Sequence, residues 1–509
     1  MNYINETTVL DFYLSQIEED KIKFLQDREE LKEEVKKNVI QLRGAEDLHE
    51  KIEVAKKLWK ALFKASMSYI DSDMRGYDDL FKYFDEYVNF EELIFASDSF
   101  YRDHTMHCLW VYFLGEYLFK NESFDELFKE YNYYKESLSL ANACKKSKNT
   151  HLFKELVEFL DQMCILEYHD SMRCLAALTH DLGYPLKKVS KINSCISRIM
   201  PYFSLKKCQE FDFNFDIMQQ GFVETFIKCM SMGVDNVTTG EEEEFKSLAG
   251  KIFKLDSNYI VTDINEDEIN KLTEEQQKII KKSIGLRSKM KENLPRKMRF
   301  FNDFEQQQHG IMSAYLLVKT VKAFTNTKLM YYSNIDIPHN GIDLRDYIVK
   351  YTILGAIADH DSEGYTVRGI EELSQFLILI DELEEFSRIS RANMNRQYVE
   401  EFCKSNIYFE EGTLNIDFIF DNENIANLDP ERAFKGRCNR FLSLFNIKNL
   451  SENLRIRLRC IGKLPYDDNV YTLEIGRKYA NITINGEEQN IPKYLKSSEF
   501  YTKEMYMKL

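Results

Sequence analysis

Proline and glycine are scarce in this sequence, with 7 prolines and 19 glycines among 509 residues. Because these residues dominate turns, their scarcity argues against a long disordered chain and against a turn-rich all-β fold. Hydrophobic residues make up 44% and charged residues 30% of the chain, which is typical of a globular protein. The length exceeds that of a typical single domain and predicts two or three domains.

Long apolar segments are also missing. No stretch of about 18 uninterrupted apolar residues is present, so the sequence predicts no membrane span. Residues 1–20 lack the basic segment and the apolar run of a secretory signal peptide. None of the 10 cysteines belongs to a C-x-x-C pair, which argues against a thiolate zinc site and favours reduced thiols in a cytoplasmic protein.

Positive charge is in deficit, and the formal net charge is −16. An acidic surface repels nucleic acid and anionic membranes, so stable binding of DNA, RNA or a lipid surface is not expected. An anionic substrate would need a local basic pocket or bound cations to overcome this field.

The hydrophobic pattern and the composition divide the chain into regions. Residues 1–95 are predicted to form an N-terminal helical region, and residues 96–404 a larger helical domain. Residues 234–300 differ from their surroundings, with an acidic run at 241–244 and basic residues across 281–299. This segment is predicted to be an insertion or a lid within the helical domain.

The helical pattern resumes at 306–325, 343–359 and 370–405 and then gives way to strands. Segments such as LRIRLRCIG and VYTLEIG alternate, are rich in β-branched residues and are separated by turn residues. Residues 405–509 are therefore predicted to form a small α+β domain with one helix at 430–445. The predicted fold class is mainly α, a helical bundle with a small C-terminal α+β domain.

His107 lies on an apolar helix face. It belongs to the segment RDHTMHCLWVYFLG, where Trp110, Val111 and Leu114 follow at helical spacing. A lone histidine in such a position is more often a core residue than a metal ligand. His104 precedes it by one helical turn, so two imidazole rings can share a face.

His180 and Asp181 end an apolar run, SMRCLAALTHDLGYP. Gly183 suits a left-handed helix C-cap and Pro185 blocks continuation, so the pair is predicted to lie at the last turn of a buried helix. An unpaired buried carboxylate is unfavourable, and a metal ion offsets that penalty. A capping pair at a surface helix end is the alternative.

Three further residues lie at the ends or on the faces of apolar helices. His309 begins such a helix in QQQHGIMSAYLLVK, and His360 ends one in YTILGAIADHDSEGY. Asp381 follows five apolar residues in FLILIDELEEFSR, which predicts that a partner draws its side chain inward. Each of these residues alone fits a structural role at least as well as a ligand role.

The order of these residues carries more weight than any one of them. The chain presents a histidine, a His-Asp doublet, two further histidines and an aspartate, each on an apolar helix or at its end. Imidazole and carboxylate together suit Zn²⁺, Fe, Mn²⁺ or Co²⁺ rather than Ca²⁺. Four such ligands make one metal site, and the whole set can hold two ions bridged by a carboxylate.

This pattern resembles the HD superfamily of metal-dependent phosphohydrolases, named for its His-Asp doublet. The segment HCLWV, which begins at His107, is similar to the family's first-helix signature. The positions that match the family's ligands, including the two histidines of its dinuclear members, are His107, His180, Asp181, His309, His360 and Asp381. The resemblance spans residues 100–390 apart from the insertion. It implies an HD-type helical bundle that binds one or two divalent ions among Mn, Fe, Zn, Co and Mg.

The resemblance also implies an activity. Family members hydrolyse phosphate esters, commonly in nucleotides, and the LGYP that follows the doublet is similar to the branch that hydrolyses deoxynucleoside triphosphates. The expected function is metal-dependent hydrolysis of a (deoxy)nucleoside triphosphate. A phosphodiesterase for a cyclic or dinucleotide substrate and a catalytically silent nucleotide sensor or scaffold are the alternatives. Relatives with this activity often form homo-oligomers, and some act in antiviral defence.

Two residues are assigned to the chemical step. The resemblance implies that Asp181 bridges or orients the ions, and His104 can protonate a leaving oxygen near neutral pH. His104 can equally be a partner of a ligand or a core residue. The basic residues near the ligands in sequence are candidates for binding phosphate; they are Arg102, Lys187, Lys188, Arg368 and Arg388. The stretch 281–299 is expected either to fold over the substrate or to form a solvated helix face.

Overall fold

The structure, a computed structural model, describes most of the chain. The described residues are 3–95, 100–129, 131, 135–162, 164–204, 216–237, 242–257, 261–283, 287–325, 341–390, 402–425 and 428–489. Across these ranges, none of the helices combines the length and the hydrophobicity that crossing a membrane requires.

Helices dominate the described residues, which confirms the predicted mainly α class. The helices are α1 (Glu6–Glu18), α2 (Glu29–Gly44), α3 (Leu48–Ile70), α4 (Tyr77–Phe95), α5 (His104–Lys120), α6 (Lys135–Lys146), α7 (Thr150–Gln162), α8 (His169–Thr179), α9 (Tyr184–Ile199), α10 (Ile217–Ser231), α11 (Glu242–Ile252), α12 (Glu266–Ile269), α13 (Glu274–Ser283), α14 (Leu294–Glu305), α15 (His309–Thr320), α16 (Gly341–Asp359), α17 (Leu373–Leu383) and α18 (Pro430–Leu444). The strands are β1 (Phe100–Arg102), β2 (Met232–Val237), β3 (Phe253–Leu255), β4 (Val261–Ile264), β5 (Arg287–Glu292), β6 (Arg388–Ser390), β7 (Lys404–Glu410), β8 (Thr413–Phe420), β9 (Arg455–Gly462), β10 (Val470–Gly476), β11 (Tyr479–Ile484) and β12 (Glu487–Glu488).

One hydrophobic core joins the N-terminal helices to the rest of the molecule. Helix α3 packs on α5 and α8, and α1 packs on α5. Trp59 of α3 is fully buried, and its Nε1 donates a hydrogen bond to the carbonyl oxygen of Leu178 at 2.8 Å. The N-terminal helices therefore support the two helices that present His107 and the His180–Asp181 doublet. The domain boundary after residue 95 stays a prediction.

A buried ion cluster fastens α5 to α8. The Arg173 guanidinium on α8 donates to Glu116 of α5 and to Asp170, each at 2.6 Å, and all three side chains are buried. Removal of one partner from such a cluster leaves uncompensated buried charge, which is strongly unfavourable. The cluster therefore fixes the relative position of the two helices.

Helix α16 lies at the centre of the bundle and contacts α7, α8, α15 and α17. Its apolar residues, such as Val349, Ile353 and Ile357, are buried. Its second half, residues 351–358, carries no charged side chain, and a helical stretch that is apolar on all sides belongs in a protein interior. His360 follows its last residue and is therefore held inside the bundle.

The helix predicted at 370–405 is shorter than expected. The prediction covered 370–405, whereas α17 ends at Leu383. Beyond it the chain turns, buries Glu384 and Glu385 against partners, and forms β6. Strand β6 pairs antiparallel with β1, which excludes a continued helix, and residues 391–401 lie outside the described residues.

The two ends of the segment predicted as an insertion, residues 234–300, are joined by a two-stranded ladder. Strands β2 and β5 pair antiparallel over six residue pairs from Met232–Glu292 to Val237–Arg287. Between them, Glu266 accepts hydrogen bonds from the Ser147 hydroxyl and the Lys148 amide, both at 2.7 Å. The segment is thus anchored on the turn between α6 and α7. Its role as a lid stays a prediction.

The C-terminal region contains the predicted α+β architecture. Its six-stranded sheet has the order β12-β11-β10-β9-β8-β7. Strands β8 and β9 are parallel, and α18 provides the crossover between them; the other neighbours are antiparallel. The β7–β8 hairpin turns at Glu411 and Gly412, both with positive φ, as a tight two-residue turn requires.

Candidate metal centre

Three helices bring together a first ligand group, which consists of His107, His180 and Asp381. His107 lies in the first turn of α5, His180 directly after α8, and Asp381 in the last turn of α17. The Nε2 atom of His107 lies 2.9 Å from Oδ1 of Asp381 and 3.3 Å from Nε2 of His180. The potential ligand atoms of this group lie within 4.8 Å of one another, so the group can hold a metal ion.

A second ligand group consists of Asp181, His309 and His360. The Nε2 atom of His309 lies 3.0 Å from Oδ1 of Asp181 and 2.9 Å from Nε2 of His360. The Nε2 atom of His360 lies 3.6 Å from the same carboxylate oxygen. All three residues are buried, and this group can also hold a metal ion.

The Asp181 carboxylate lies between the two ligand groups. Its Oδ1 atom faces the histidines of the second group, as described above. Its Oδ2 atom lies 3.5 Å from Nε2 of His180 and 3.7 Å from Nε2 of His107. One carboxylate therefore contacts both groups, each through a different oxygen.

The outer nitrogens of the histidines are fixed by hydrogen bonds. Nδ1 of His180 donates to the carbonyl oxygen of Ala177 at 2.7 Å, and Nδ1 of His360 donates to that of Ile357 at 2.6 Å. A carbonyl oxygen can only accept, so Nδ1 carries the hydrogen in both rings. In the neutral ring Nε2 then bears a lone pair, which faces the centre.

Carboxylates hold the other two outer nitrogens. Nδ1 of His107 lies 2.5 Å from Oε2 of Glu384, and Nδ1 of His309 lies 2.6 Å from Oδ2 of Asp361. Metal-ligating histidines characteristically donate their second ring nitrogen to a carboxylate or a backbone carbonyl. All four histidines of the centre fit this arrangement.

Two glycines allow the surrounding segments to approach closely. A Cβ atom on Gly183 would lie 2.4 Å from the carbonyl oxygen of His309, and one on Gly310 would lie 2.5 Å from that of Ile357. The predicted left-handed C-cap at Gly183 is wrong, because its φ is −81°. Gly183 is needed because the space around it is filled, not because of its φ. Its amide donates at 2.7 Å to the Ser313 hydroxyl, which in turn donates to the carbonyl oxygen of His180.

The electrostatics of the centre favour an ionised Asp181. Burial raises the pKa of this carboxyl group, but the neighbouring histidines, with a hydrogen bond from His309, hold it well below its ordinary value. Burial lowers the pKa of His180 to about 4, which keeps that ring neutral. Burial lowers the pKa of His309, but Asp361 and Asp181 raise it to about 9. Without a metal, a proton on His309 therefore supplies positive charge between two carboxylates.

His104 lies beside the ligand groups and is held by a residue of the N-terminal region. Its Nδ1 atom is 2.9 Å from Oε2 of Glu91 on α4, and both side chains are buried. The centroid of the Tyr184 ring lies 3.8 Å from that of His104 and 5.3 Å from that of His309. Tyr184 thus connects His104 to the second ligand group.

Two of the predicted phosphate-binding residues lie at the centre. The Lys187 ammonium group lies 3.1 Å from the Asp361 carboxylate and 3.3 Å from Nδ1 of His309. The Lys188 ammonium group lies 4.6 Å from the centroid of the Tyr184 ring. Both lysines are on the first turns of α9, directly after the His180–Asp181 doublet.

The three predicted arginines differ in position. Arg102 and Arg388 are directly opposite each other in the β1–β6 ladder, and their side chains lie outside the described structure. Arg368 has an exposed side chain, and its carbonyl oxygen accepts a hydrogen bond from the Ser451 amide at 2.7 Å. Within the described ranges, no hydrogen bond or ion pair joins the Arg368 side chain to either ligand group.

Several residues of the centre were not predicted from the sequence. Asp361 follows His360 and makes a further His-Asp doublet, and Glu384 lies one helical turn after Asp381, so both had a local signal. Glu91 had none, because it belongs to an ordinary amphipathic helix 13 residues before His104.

In the basic stretch 281–299, the Arg299 side chain forms an ion pair with the buried Asp359 at 2.6 Å.

Comparison of the chain with protein-family models, curated proteins and solved structures gave no match. The centre is therefore interpreted from its own geometry. Its chemistry is that of buried imidazole and carboxylate groups that can bind a metal ion.

We expect purified protein to contain a divalent transition metal, and we expect the metal content to depend on Asp181. The Asp181→Asn and His180→Ala variants each remove a ligand atom and should lower metal affinity by more than about tenfold, since even loss of a ligand's hydrogen-bonding partner has effects of that size. Elemental analysis after dialysis against a graded chelator measures this. His151→Ala, an exposed histidine on α7, is the matched control. Equal metal content in all four proteins would contradict the site.

Proposed function

We propose that this chain is a metal-dependent phosphohydrolase of the HD superfamily. We propose that it hydrolyses a nucleotide phosphoester, and the first candidate substrate is a (deoxy)nucleoside triphosphate. The observation that carries the proposal is the Asp181 carboxylate, which contacts two histidine-containing groups through its two oxygens. The order of the ligands along the chain supports the same assignment.

The residues present fit two divalent ions among Mn, Fe, Zn, Co and Mg. His107, His180 and Asp381, together with Asp181, would hold one ion, and Asp181, His309 and His360 would hold the other. When bound, such ions stabilise negative charge on a phosphoryl group and activate water for attack. The nitrogen-rich ligand set favours transition metals over Mg²⁺.

The two ligand groups differ in the number of donor atoms. With the shared carboxylate, the first group offers four protein donors and the second offers three. Catalytic sites keep a coordination position open for substrate or water, so the second position is the better candidate for binding a substrate oxygen. Lys187, which is 43% exposed, lies next to it and supplies a cation for the phosphate chain.

His104 and Glu91 are suited to move a proton. Glu91 accepts a hydrogen bond from Nδ1 of His104, so Nε2 is the ring nitrogen that we assign to transfer a proton to a leaving oxygen. The 5′-oxygen of a nucleoside is a poor leaving group, and its departure needs a proton donor. Contact with Tyr184 keeps the His104 ring beside the second ligand group.

We expect the protein with Mn²⁺ to turn over at least one member of a panel of nucleoside and deoxynucleoside triphosphates. The Asp181→Asn and His360→Ala variants should lower kcat/KM by about 10³-fold, which corresponds to the several kcal/mol that metal ions contribute to such reactions. Separation of products by ion-exchange chromatography identifies the cleaved bond. Release of tripolyphosphate supports the first substrate class, and turnover of cyclic or dinucleotides alone supports the phosphodiesterase. Nucleotide binding without any turnover would contradict the proposal and favour a sensor.

The role of His104 predicts a dependence on the leaving group. His104→Ala should slow hydrolysis of the natural nucleotide by about 10²–10⁴-fold, the usual contribution of a general acid. It should largely spare the 4-nitrophenyl ester of a nucleoside 5′-phosphate, because 4-nitrophenolate leaves without a proton. Glu91→Gln should act in the same direction, with Glu86→Gln, an exposed carboxylate on the same helix, as the control. An equal loss on both substrates would assign His104 a structural role instead.

A further inference from the structure

The acidic segment 381–385, at the end of α17 and directly after it, has two faces. Asp381 and Glu384 both lie against His107, as described above. Glu382 and Glu385, the other two carboxylates of this segment, contact arginines of helix α18 in the C-terminal region. The same five residues therefore connect the metal centre to the C-terminal sheet domain.

The two arginines of α18 that contact this segment differ in their surroundings. Arg437 is mostly buried, contacts Glu385 at 2.8 Å, and its guanidinium carbon lies 3.5 Å from the centroid of the Phe418 ring. Arg440 is ion-paired with Glu382 through Nε, but its side chain remains 42% exposed. Arg437 thus fastens the helix, whereas Arg440 keeps contact with solvent.

Arg440 contacts Glu382, which is adjacent in sequence to the candidate ligand Asp381, through one of its donor nitrogens. Within the described part of the chain, its guanidinium donates only to Glu382. Its pKa is raised mainly by Glu382, and Asp381 and Asp361 act in the same direction. Asp381 belongs to the first ligand group and Asp361 holds His309 of the second, so Arg440 is within electrostatic reach of both.

We propose that Arg440 binds a phosphate group of the substrate at the metal centre, so that the C-terminal α+β domain contributes directly to the active site. This inference rests on the proposed function. A guanidinium presents parallel donors that match phosphate oxygens, and its remaining donors make no hydrogen bond among the described residues. In a chain of net charge −16, a fixed cation at the site also offsets repulsion of a polyanionic ligand.

The alternative is that Arg440 only anchors α18 through Glu382. The two roles are separated by comparing Arg440→Gln with Glu382→Gln, because both remove the ion pair but only the first removes the guanidinium. The readout is the Kd of a non-hydrolysable nucleoside triphosphate analogue in the presence of Mn²⁺, measured by calorimetry on the full chain. Arg432→Gln, an exposed arginine on the same helix, is the matched control.

We expect Arg440→Gln to weaken binding of the analogue by at least about tenfold, the effect of losing one charge-assisted hydrogen bond. Glu382→Gln should change the Kd by less than about threefold, and Arg440→Lys should restore part of the affinity because it keeps the charge. Metal content should stay equal in all variants. Equal losses for Arg440→Gln and Glu382→Gln, or wild-type affinity in Arg440→Gln, would overturn the inference.

Failure of this inference can be distinguished from failure of the proposed function. If the wild-type protein hydrolyses nucleotides and Arg440→Gln has unchanged KM and analogue affinity, the function stands and the role of Arg440 is wrong. If the analogue binds in an Arg440-dependent way but no nucleotide is hydrolysed, the role of Arg440 in phosphate binding stands and the hydrolase proposal fails.

Discussion

The buried Asp181 carboxylate is the constraint on which the rest of the centre depends. It is surrounded by the Nε2 atoms of four histidines, two of which must present lone pairs because their other nitrogens donate to backbone carbonyls. Converging lone pairs and a buried anion repel one another unless positive charge is placed among them. A proton on His309 meets part of this need, and metal ions would meet all of it. The arrangement therefore makes sense as a cation site rather than as ordinary core packing.

The fold brings the residues around Asp181 together from segments that are far apart in sequence. The ligands come from α5, from the residues after α8 and α16, and from the starts or ends of α15 and α17. A buried ion cluster holds α5 against α8, and close glycine contacts bring α15 to the doublet and to His360. Each ligand is thus placed by backbone packing and needs little adjustment on binding. Preorganisation of this kind is what a site that stabilises developing charge requires.

Local patterns were sufficient for the class of fold and for the ligands of the proposed site. The order of histidines and aspartates at the ends of apolar helices predicted a common centre, and the alternating strands after residue 405 predicted the C-terminal sheet. What escaped prediction depends on long-range packing. Glu91 and Arg440 carry no local signal, since nothing near them reveals that α4 contacts His104 or that α18 contacts Glu382. Gly183 was assigned a cap conformation because a sequence cannot distinguish a glycine needed for φ from one needed for space.

A crystal grown with Mn²⁺ and measured at the manganese absorption edge tests the central claim most directly. The account predicts two anomalous peaks, about 3.5–4 Å apart as in other two-metal sites, one against each oxygen of Asp181. One peak would go to the group that contains His107 and the other to the group that contains His309. A map without a peak at either position, with the four imidazoles bonded only to water or to one another, would contradict it.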